Sequence, residues 1–432
     1  MRYPAISPGL FKRNRQKLFG RMEGNSVAII HSGDQMVRSG DQFYPYRQSP
    51  DLFYLSGIEQ EMSILMLSQE QEEGKKKAIL FIRKPDPKLE TWEGRKLEKE
   101  EAMKISGIET IHWLDDFESV SRSIILQCRN IYFNIPEHEK FKPEYPQRDE
   151  RMMMELKKDF PSHEFRRLAP LLADLRMIKE SGEIELIRKA VQITRDGLER
   201  VLGFIREGLH EYEIEAELSH EFIRRGGGGH AFPPIIASGG NACMLHYIKN
   251  DQVCRAGDLL LMDFGAEYAN YAADCSRTVP VNGRFSKRQR VLYDATLRVL
   301  RGARSLMIPG TTIEKINEQV GRLWEEEHIN LGLYTSAQLK NQPKEEPLYK
   351  KYFMHGTSHF MGLDVHDPGS KKALLKPGMV LTCEPGIYIR EEGTGIRLEN
   401  DIMITGEGNI DLMDDFPVEA EEIEALMNAK NR

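Results

Sequence analysis

The chain has 432 residues, a net charge of −7 and only five cysteines; 40% of its residues are hydrophobic and 29% charged. This is an ordinary soluble, globular composition, long enough for two or three domains of about 100–200 residues each. Mild acidity argues against a nucleic-acid partner, which needs a basic surface. Cys128, Cys243, Cys254, Cys275 and Cys383 are scattered and form no CxxC pair. That excludes a disulfide framework or zinc knuckle and reads as small buried residues in a reducing compartment. No run approaches the roughly 18 apolar residues that span a bilayer, and Met1 to Pro8 lack the apolar stretch of an export signal. The expectation is a cytoplasmic chain with no membrane partner.

The first part reads as α/β. Ser26 to Ser32, Ser63 to Ser68, Lys77 to Arg83 and Ile131 to Ile135 are short apolar runs. They alternate with polar, helix-prone stretches such as Leu97 to Lys104, which predicts a small, mostly parallel sheet covered by helices. Pro161 and Pro170 punctuate a boundary, giving domains of residues 1–172 and 173–432. A long helix follows, with Ser181 as its cap and Glu183 and Glu185 in its first turn. Ile184, Ile187, Val191, Thr194, Leu198 and Val201 recur at the spacing of one helical face.

The second part carries a weak internal duplication. The stretch around Gly208, where one helix ends and another begins, is matched around Gly310, an offset of 102 residues. "CRAGDLLLMDFG" around Gly257 is matched by "LKPGMVLTCEPG" around Gly378, an offset of 121. The difference fits an insertion, and Leu339 to Lys351 is polar and proline-broken enough to be a loop. Two α-plus-β halves related by a pseudo-twofold are predicted.

The duplication selects residues. Asp263 and Glu384 each lie six residues after the matched glycines, at the end of an apolar strand. A second strand in each half carries Asp274 and Glu399. Any one of these alone is more often an ordinary structural carboxylate. Four together repel unless cations neutralise them, and two divalent ions would. His355, His359 and His366 fall within twelve residues, and His246 and His366 occupy corresponding positions. A carboxylate-rich site with one or two imidazoles suits Mn²⁺ or Fe²⁺ better than a thiolate zinc site. Two such ions can hold a bridging hydroxide and polarise a carbonyl.

Other features are weaker. Gly226 to Gly229 lacks the Lys-Ser/Thr of a phosphate loop and reads as a flexible connection. His210-Glu211 and His220-Glu221 begin like zincin helices, but Ile214 and Arg224 stand where the second histidine should be. Cys383 points to the opposite face from Glu384 by strand alternation and reads as a buried thiol.

The pieces "AFPPIIASGGNACMLHY", "LLLMDFGAEYANYAADCSRT", "HGTSHFMGLDVHD", "LTCEPGIYI" and "GIRLEND" resemble the pita-bread metallopeptidases of the aminopeptidase P (Xaa-Pro aminopeptidase) family. "YPYRQSPDLFYLSG" and "ETWEGRKL" are similar to that family's creatinase-like N-terminal domain. The resemblance implies an α/β creatinase-like domain followed by an α+β pita-bread domain. It implies two divalent ions, Mn²⁺ foremost, held by Asp263, Asp274, His359, Glu384 and Glu399. His359 is chosen among the histidines only by this resemblance. His246, His355 and His366 match substrate-binding and proton-handling histidines, and Arg397 an arginine that orients a ligand carboxylate. Trp92 is either an ordinary half-buried indole or, by resemblance, a residue near a neighbouring subunit's active site in a homodimer or homotetramer.

The implied reaction is release of the first residue from peptides that begin Xaa-Pro. A metal-bridging hydroxide would attack the Xaa carbonyl. Glu384 would move the proton, His355 would stabilise the tetrahedral intermediate, and His246 and His366 would frame the proline. A prolidase acting on Xaa-Pro dipeptides is the nearest rival. A methionine aminopeptidase is disfavoured by the extra N-terminal domain. Creatinase-type hydrolysis without metal and a non-catalytic binding module are disfavoured because all five ligand positions are filled.

Overall fold

In the computed structural model, which describes residues 3–70, 75–135, 137, 144–343 and 345–429, the apolar runs of the first part become strands of one sheet. The chain divides into two units, Pro4–Arg176 and Met177–Arg432, with Tyr3 grouped with the second.

The six strands of the first unit lie in the order Thr110–Trp113, Lys76–Ile82, Ile64–Gln69, Ser26–His31, Asn130–Phe133, Glu164–Arg167. Ser26–His31 is buried along its whole length. Such a strand is covered on both faces, which is why it reads as an unbroken apolar run rather than an alternation. Three of the five pairings are parallel. Ile64–Gln69, however, runs antiparallel to both neighbours. The sheet is therefore mixed. The six residues between Gln69 and Lys76 are too few for a parallel crossover, which takes a dozen or more. The outer strands Thr110–Trp113 and Glu164–Arg167 are the most exposed, and their polar residues hid them from a pattern reading. The helix expected from Leu97 spans Lys99–Ser106 and stops at Gly107, whose φ is +64°. Trp92 lies on a short helix, Pro87–Glu93, and is 86% exposed, so it is not a half-buried indole.

The second unit begins with helix Ser181–Leu202. Ser181 is its first helical residue and not its cap. The Glu180 N–H instead donates to Glu183 Oε2 at 2.8 Å, the return half of a capping box. Ile187, Val191, Thr194, Leu198 and Val201 are buried as the spacing required, while Ile184, in the first turn, is only half-buried.

The two halves repeat in detail. Helices Ser181–Leu202 and Glu211–Arg224 correspond to Lys287–Leu306 and Ile313–Asn330. The Gly208 N–H donates to Cys254 O, and the Cys254 N–H to Leu209 O. The Gly310 N–H donates to Leu375 O, and the Leu375 N–H to Thr311 O. These reciprocal pairs follow the two offsets read from the sequence. Gly257 and Gly378 both have φ of +88°, where a side chain would be strained. Each then enters an apolar strand, Leu259–Phe264 or Val380–Cys383. Each strand pairs antiparallel with a partner after an intervening hairpin, Cys275–Pro280 in the first half and Asn400–Ile404 in the second. The third strand differs. Ile235–Ser238 flanks Leu259–Phe264, whereas Asn409–Asp411 flanks Asn400–Ile404.

The halves meet where the second strands begin. The Glu399 N–H donates to Ser276 O at 3.1 Å, and the Arg397 N–H to Thr278 Oγ1 at 3.1 Å. The insertion is less irregular than expected, since it starts within a short helix, Ser336–Lys340, and ends in a 3₁₀ turn, Leu348–Lys351; Lys344 lies outside the described residues. The glycine run is also ordered. The Gly228 N–H donates to Glu267 O, and Gly229–His230 pairs with Ala266–Tyr268. All five cysteines are unpaired thiols, four of them buried. Among the described residues no helix is long and apolar enough to cross a membrane.

Candidate metal centre

Four strand ends deliver the four carboxylates. Asp263 is the penultimate residue of Leu259–Phe264, and Asp274 immediately precedes Cys275–Pro280. Glu384 immediately follows Val380–Cys383, and Glu399 immediately precedes Asn400–Ile404. The turn between the first two is tight. A Cβ on Gly265 would lie 1.7 Å from Ala273 O, so only glycine fits there. Cys383 points away from the site, is fully buried and directs its thiol toward Leu300 O. Burial pushes that thiol well above its ordinary range, so it is no nucleophile.

His359 completes the group. Its backbone is pinned to the strand that carries Glu384, with the Thr382 N–H donating to His359 O at 2.9 Å. Its Nδ1 lies 3.0 Å from Phe360 O, which can only accept. Nδ1 therefore carries the proton and the Nε2 lone pair is free to ligate. That Nε2 lies 3.5 Å from Asp274 Oδ2 and 3.8 Å from Glu384 Oε1. Ligand atoms of Asp274, His359 and Glu399 all fall within 4.8 Å of one another.

The electrostatics are those of a site built for cations. Burial foremost, then the charges of Asp263, Asp401 and Glu384, raises the Asp274 carboxyl well above the usual range. Glu399 is raised in the same way by burial, then by Asp274, Glu384 and Asp263. Burial also raises Glu384, against the opposing charges of His359 and Arg397. Asp263 Oδ1 is buried with no hydrogen-bond partner among the described residues. A buried orphan oxygen costs about 1–3 kcal/mol or more. With an all-oxygen set plus one imidazole, these residues fit hard divalent ions.

Arg397 ties the cluster together. It donates from Nη2 to Asp263 Oδ2 at 2.6 Å, from Nε to Ser276 Oγ at 2.8 Å and from Nη1 to the Tyr388 hydroxyl at 2.9 Å. Ser276 Oγ in turn donates to Glu399 Oε2 at 2.7 Å. One guanidinium thus reaches a carboxylate from each half, directly or through one hydroxyl.

The remaining histidines differ in setting. His355 Nδ1 donates to Gly356 O at 2.8 Å and lies 3.6 Å from Glu384 Oε2. Its Nε2 therefore accepts from the Tyr388 hydroxyl at 2.8 Å. Burial foremost, then the Arg397 charge, lowers His355 to about 3, so it is a neutral imidazole. His246 is exposed, and the ring of the adjacent Tyr247 lies in the same buried cluster as Tyr388. His366 is also exposed, and its ring meets that of His359 edge-on at 4.4 Å between centroids. Trp92 belongs to the other unit.

The sequence reading missed Ser276, Tyr388 and Asp401. Asp401 accepts from the Asp274 N–H at 3.1 Å. A signal for two of them existed, because Ser276 and Asp401 lie two residues after Asp274 and Glu399, the next positions on the same strand face. Tyr388 has no duplicated counterpart and left no such trace.

A duplicated α+β unit whose strand ends converge four carboxylates and one imidazole defines a metal-dependent hydrolase. Residues 185–406 match the model of metallopeptidase family M24, and residues 11–132 that of the aminopeptidase P N-terminal domain. The chain belongs to metallopeptidase family M24. It is 36% identical to a Xaa-Pro aminopeptidase of Haemophilus influenzae, covering 97% of both chains. It is 34% identical to a Xaa-Pro aminopeptidase of Escherichia coli over 99% of each. The crystallographic neighbour "aminopeptidase P from E. coli with the inhibitor Pro-Leu" superposes with a TM-score of 0.90 at 33% identity, over 99% of this chain and 100% of that one.

Proposed function

We infer that this chain is a Xaa-Pro aminopeptidase, a metal-dependent exopeptidase that releases the first residue of peptides with proline second. The observation that carries the reading is full-length likeness to such enzymes, supported by the donor atoms of Asp274, His359 and Glu399 lying within 4.8 Å of one another.

A bond to proline nitrogen is a tertiary amide without an N–H, so a peptidase cannot hold it through that group. The proposed holders of two divalent ions are Asp263, Asp274, His359, Glu384 and Glu399. When bound, the ions supply Lewis acidity to the scissile carbonyl and to a water molecule. Glu384, the carboxylate beside His355 Nδ1, accepts a proton and delivers it to the departing proline nitrogen. His355 offers a neutral N–H beside Glu384, suited to a carbonyl oxygen that gains charge. Both ring nitrogens are engaged, Nδ1–H by Gly356 O and Nε2 by the Tyr388 hydroxyl, so the substrate must displace Gly356 O to receive that N–H. Arg397 keeps the carboxylates of the two halves in register, and the exposed His246 and His366 frame the proline.

Manganese is the ion we propose, from the oxygen-rich donor set. A homodimer or homotetramer, with the exposed Trp92 near a neighbouring subunit, is proposed from the likeness to aminopeptidase P, and cytoplasmic action from the five unpaired thiols. Sedimentation of Trp92→Ala beside the parent protein would show no change if that indole plays no part in assembly.

Xaa-Pro dipeptides and Xaa-Pro-Xaa or longer peptides, assayed side by side with and without Mn²⁺, test the reading. The expected result is release of the first residue from the longer peptides, dependence on proline in second position, stimulation by Mn²⁺ and slower cleavage of dipeptides. Efficient hydrolysis of dipeptides with longer chains left intact would assign a prolidase instead.

A further inference from the structure

Glu211 is 0% exposed and, among the described residues, forms no ion pair. It is the first residue of helix Glu211–Arg224. Its Oε1 accepts from the Ser238 N–H and the Ser238 hydroxyl, both at 2.7 Å, and from Asn241 Nδ2 at 3.2 Å. Its Oε2 accepts from the Tyr247 hydroxyl at 2.7 Å and the Gln252 N–H at 3.0 Å. Five donors satisfy both oxygens of this buried carboxylate, which would otherwise be costly to bury.

All five donors come from one segment, Ser238 to Gln252, and they bracket His246. Ser238 ends the strand Ile235–Ser238 and Gly239–Cys243 is a 3₁₀ turn, but residues 244–252 have no regular structure; besides the Glu211 carboxylate, they are held by the Glu211 N–H donating to Gln252 O and by Asn250 bonded to Ile236 N–H and Pro234 O. Tyr247 directly follows His246. Its ring is buried with Ile235, Ala237, Leu261 and Tyr388, and Tyr388 is the residue bonded to His355. The Glu211 carboxylate therefore bonds the segment on both sides of the exposed His246, and the adjacent Tyr247 packs in the cluster that holds Tyr388, the partner of His355.

We propose that Glu211 is a positioning residue for His246, acting through Tyr247 and the segment on either side. The proposal rests on the reading of His246 as a substrate-facing group. Glutamine at 211 would turn an NH₂ toward existing donors and loosen the segment without changing its volume. Misplacement of a reacting group by about 1 Å costs roughly 10²-fold.

The test is a double-mutant cycle on the Mn²⁺-loaded full chain, measuring kcat and KM with one Xaa-Pro-Xaa tripeptide. His246→Ala should lower kcat/KM by about 10²-fold or more. Glu211→Gln should lower it about 10–100-fold when His246 is present, and less than about 2-fold in the His246→Ala background. Metal content should be unchanged throughout. If Glu211→Gln does not fold, Tyr247→Phe removes one donor and keeps the ring; a loss of about 3–10-fold is then expected, again absent without His246. An equal loss in both backgrounds, or no loss in either, overturns the proposal. Full activity of His246→Ala is a separate result, which overturns the reading of His246 and the proposal with it.

Discussion

Replacing Glu384 by glutamine is expected to leave a folded protein that has lost nearly all turnover. Glu384 Oε1 lies 3.8 Å from His359 Nε2, and Oε2 lies 3.6 Å from His355 Nδ1. An amide in that place can still ligate through its oxygen, but it cannot take up a proton. Loss of a general acid–base is worth about 10²–10⁴-fold, and weakened ligation adds to it. The fold should not suffer, because one of four mutually repelling carboxylates is removed. Melting of metal-free Glu384→Gln at or above the temperature of the metal-free parent is therefore expected. Near-normal kcat in the folded, metal-loaded variant would rule out the proton-transfer role.

Asp274→Ala and Glu399→Ala are expected to lose metal, as read by elemental analysis of the purified proteins. Each removes a buried carboxylate from the cluster whose donor atoms lie within 4.8 Å of one another. Full metal content in both variants would sink the assignment.

Chelation of the parent protein should lower its melting temperature, and more so at pH 8 than at pH 5. Asp274, Glu384 and Glu399 are raised in the folded state, chiefly by burial and by one another. Below their unfolded pKa both states are protonated and these groups cost nothing. As pH rises toward the raised folded values, the metal-free folded state holds more protons than the unfolded one and loses stability. Divalent ions take the place of those protons, so their contribution grows with pH. Ligand at about 100 times its Kd adds about 2.7 kcal/mol. For a domain of this size that is a shift of about 5–10 °C. A chelation effect independent of pH would show that the carboxylates do not carry the binding.

The four carboxylates were legible because duplication writes the same local chemistry twice. Asp263 and Glu384 follow matched glycines, and the φ of +88° at Gly257 and Gly378 is the conformation that makes those glycines necessary. Strand alternation likewise separated Cys383 from Glu384, since neighbouring residues on a strand face opposite ways. Burial of the Ser181–Leu202 face followed from its 3.6-residue period. These are local rules, and a single chain carries all the information they need.

Other features depend on contacts between residues far apart in the chain. Ile64–Gln69 looks like any buried strand, and its antiparallel pairing with Ser26–His31 is made between segments distant in the chain. Arg397 is joined to Asp263 across 134 residues and to Ser276 across 121. The neutrality of His355 comes from its burial and from Arg397, and its tautomer from Gly356 O and the Tyr388 hydroxyl. Glu211 carries no mark in its own helix that five donors from Ser238–Gln252 converge on it. The sequence by itself determined which carboxylates lie at matched strand ends, because those positions repeat with the duplicated strands. Only the tertiary structure decided which hydrogen bonds orient them and which imidazole is neutral, because burial and hydrogen-bond partners are properties of the packed chain.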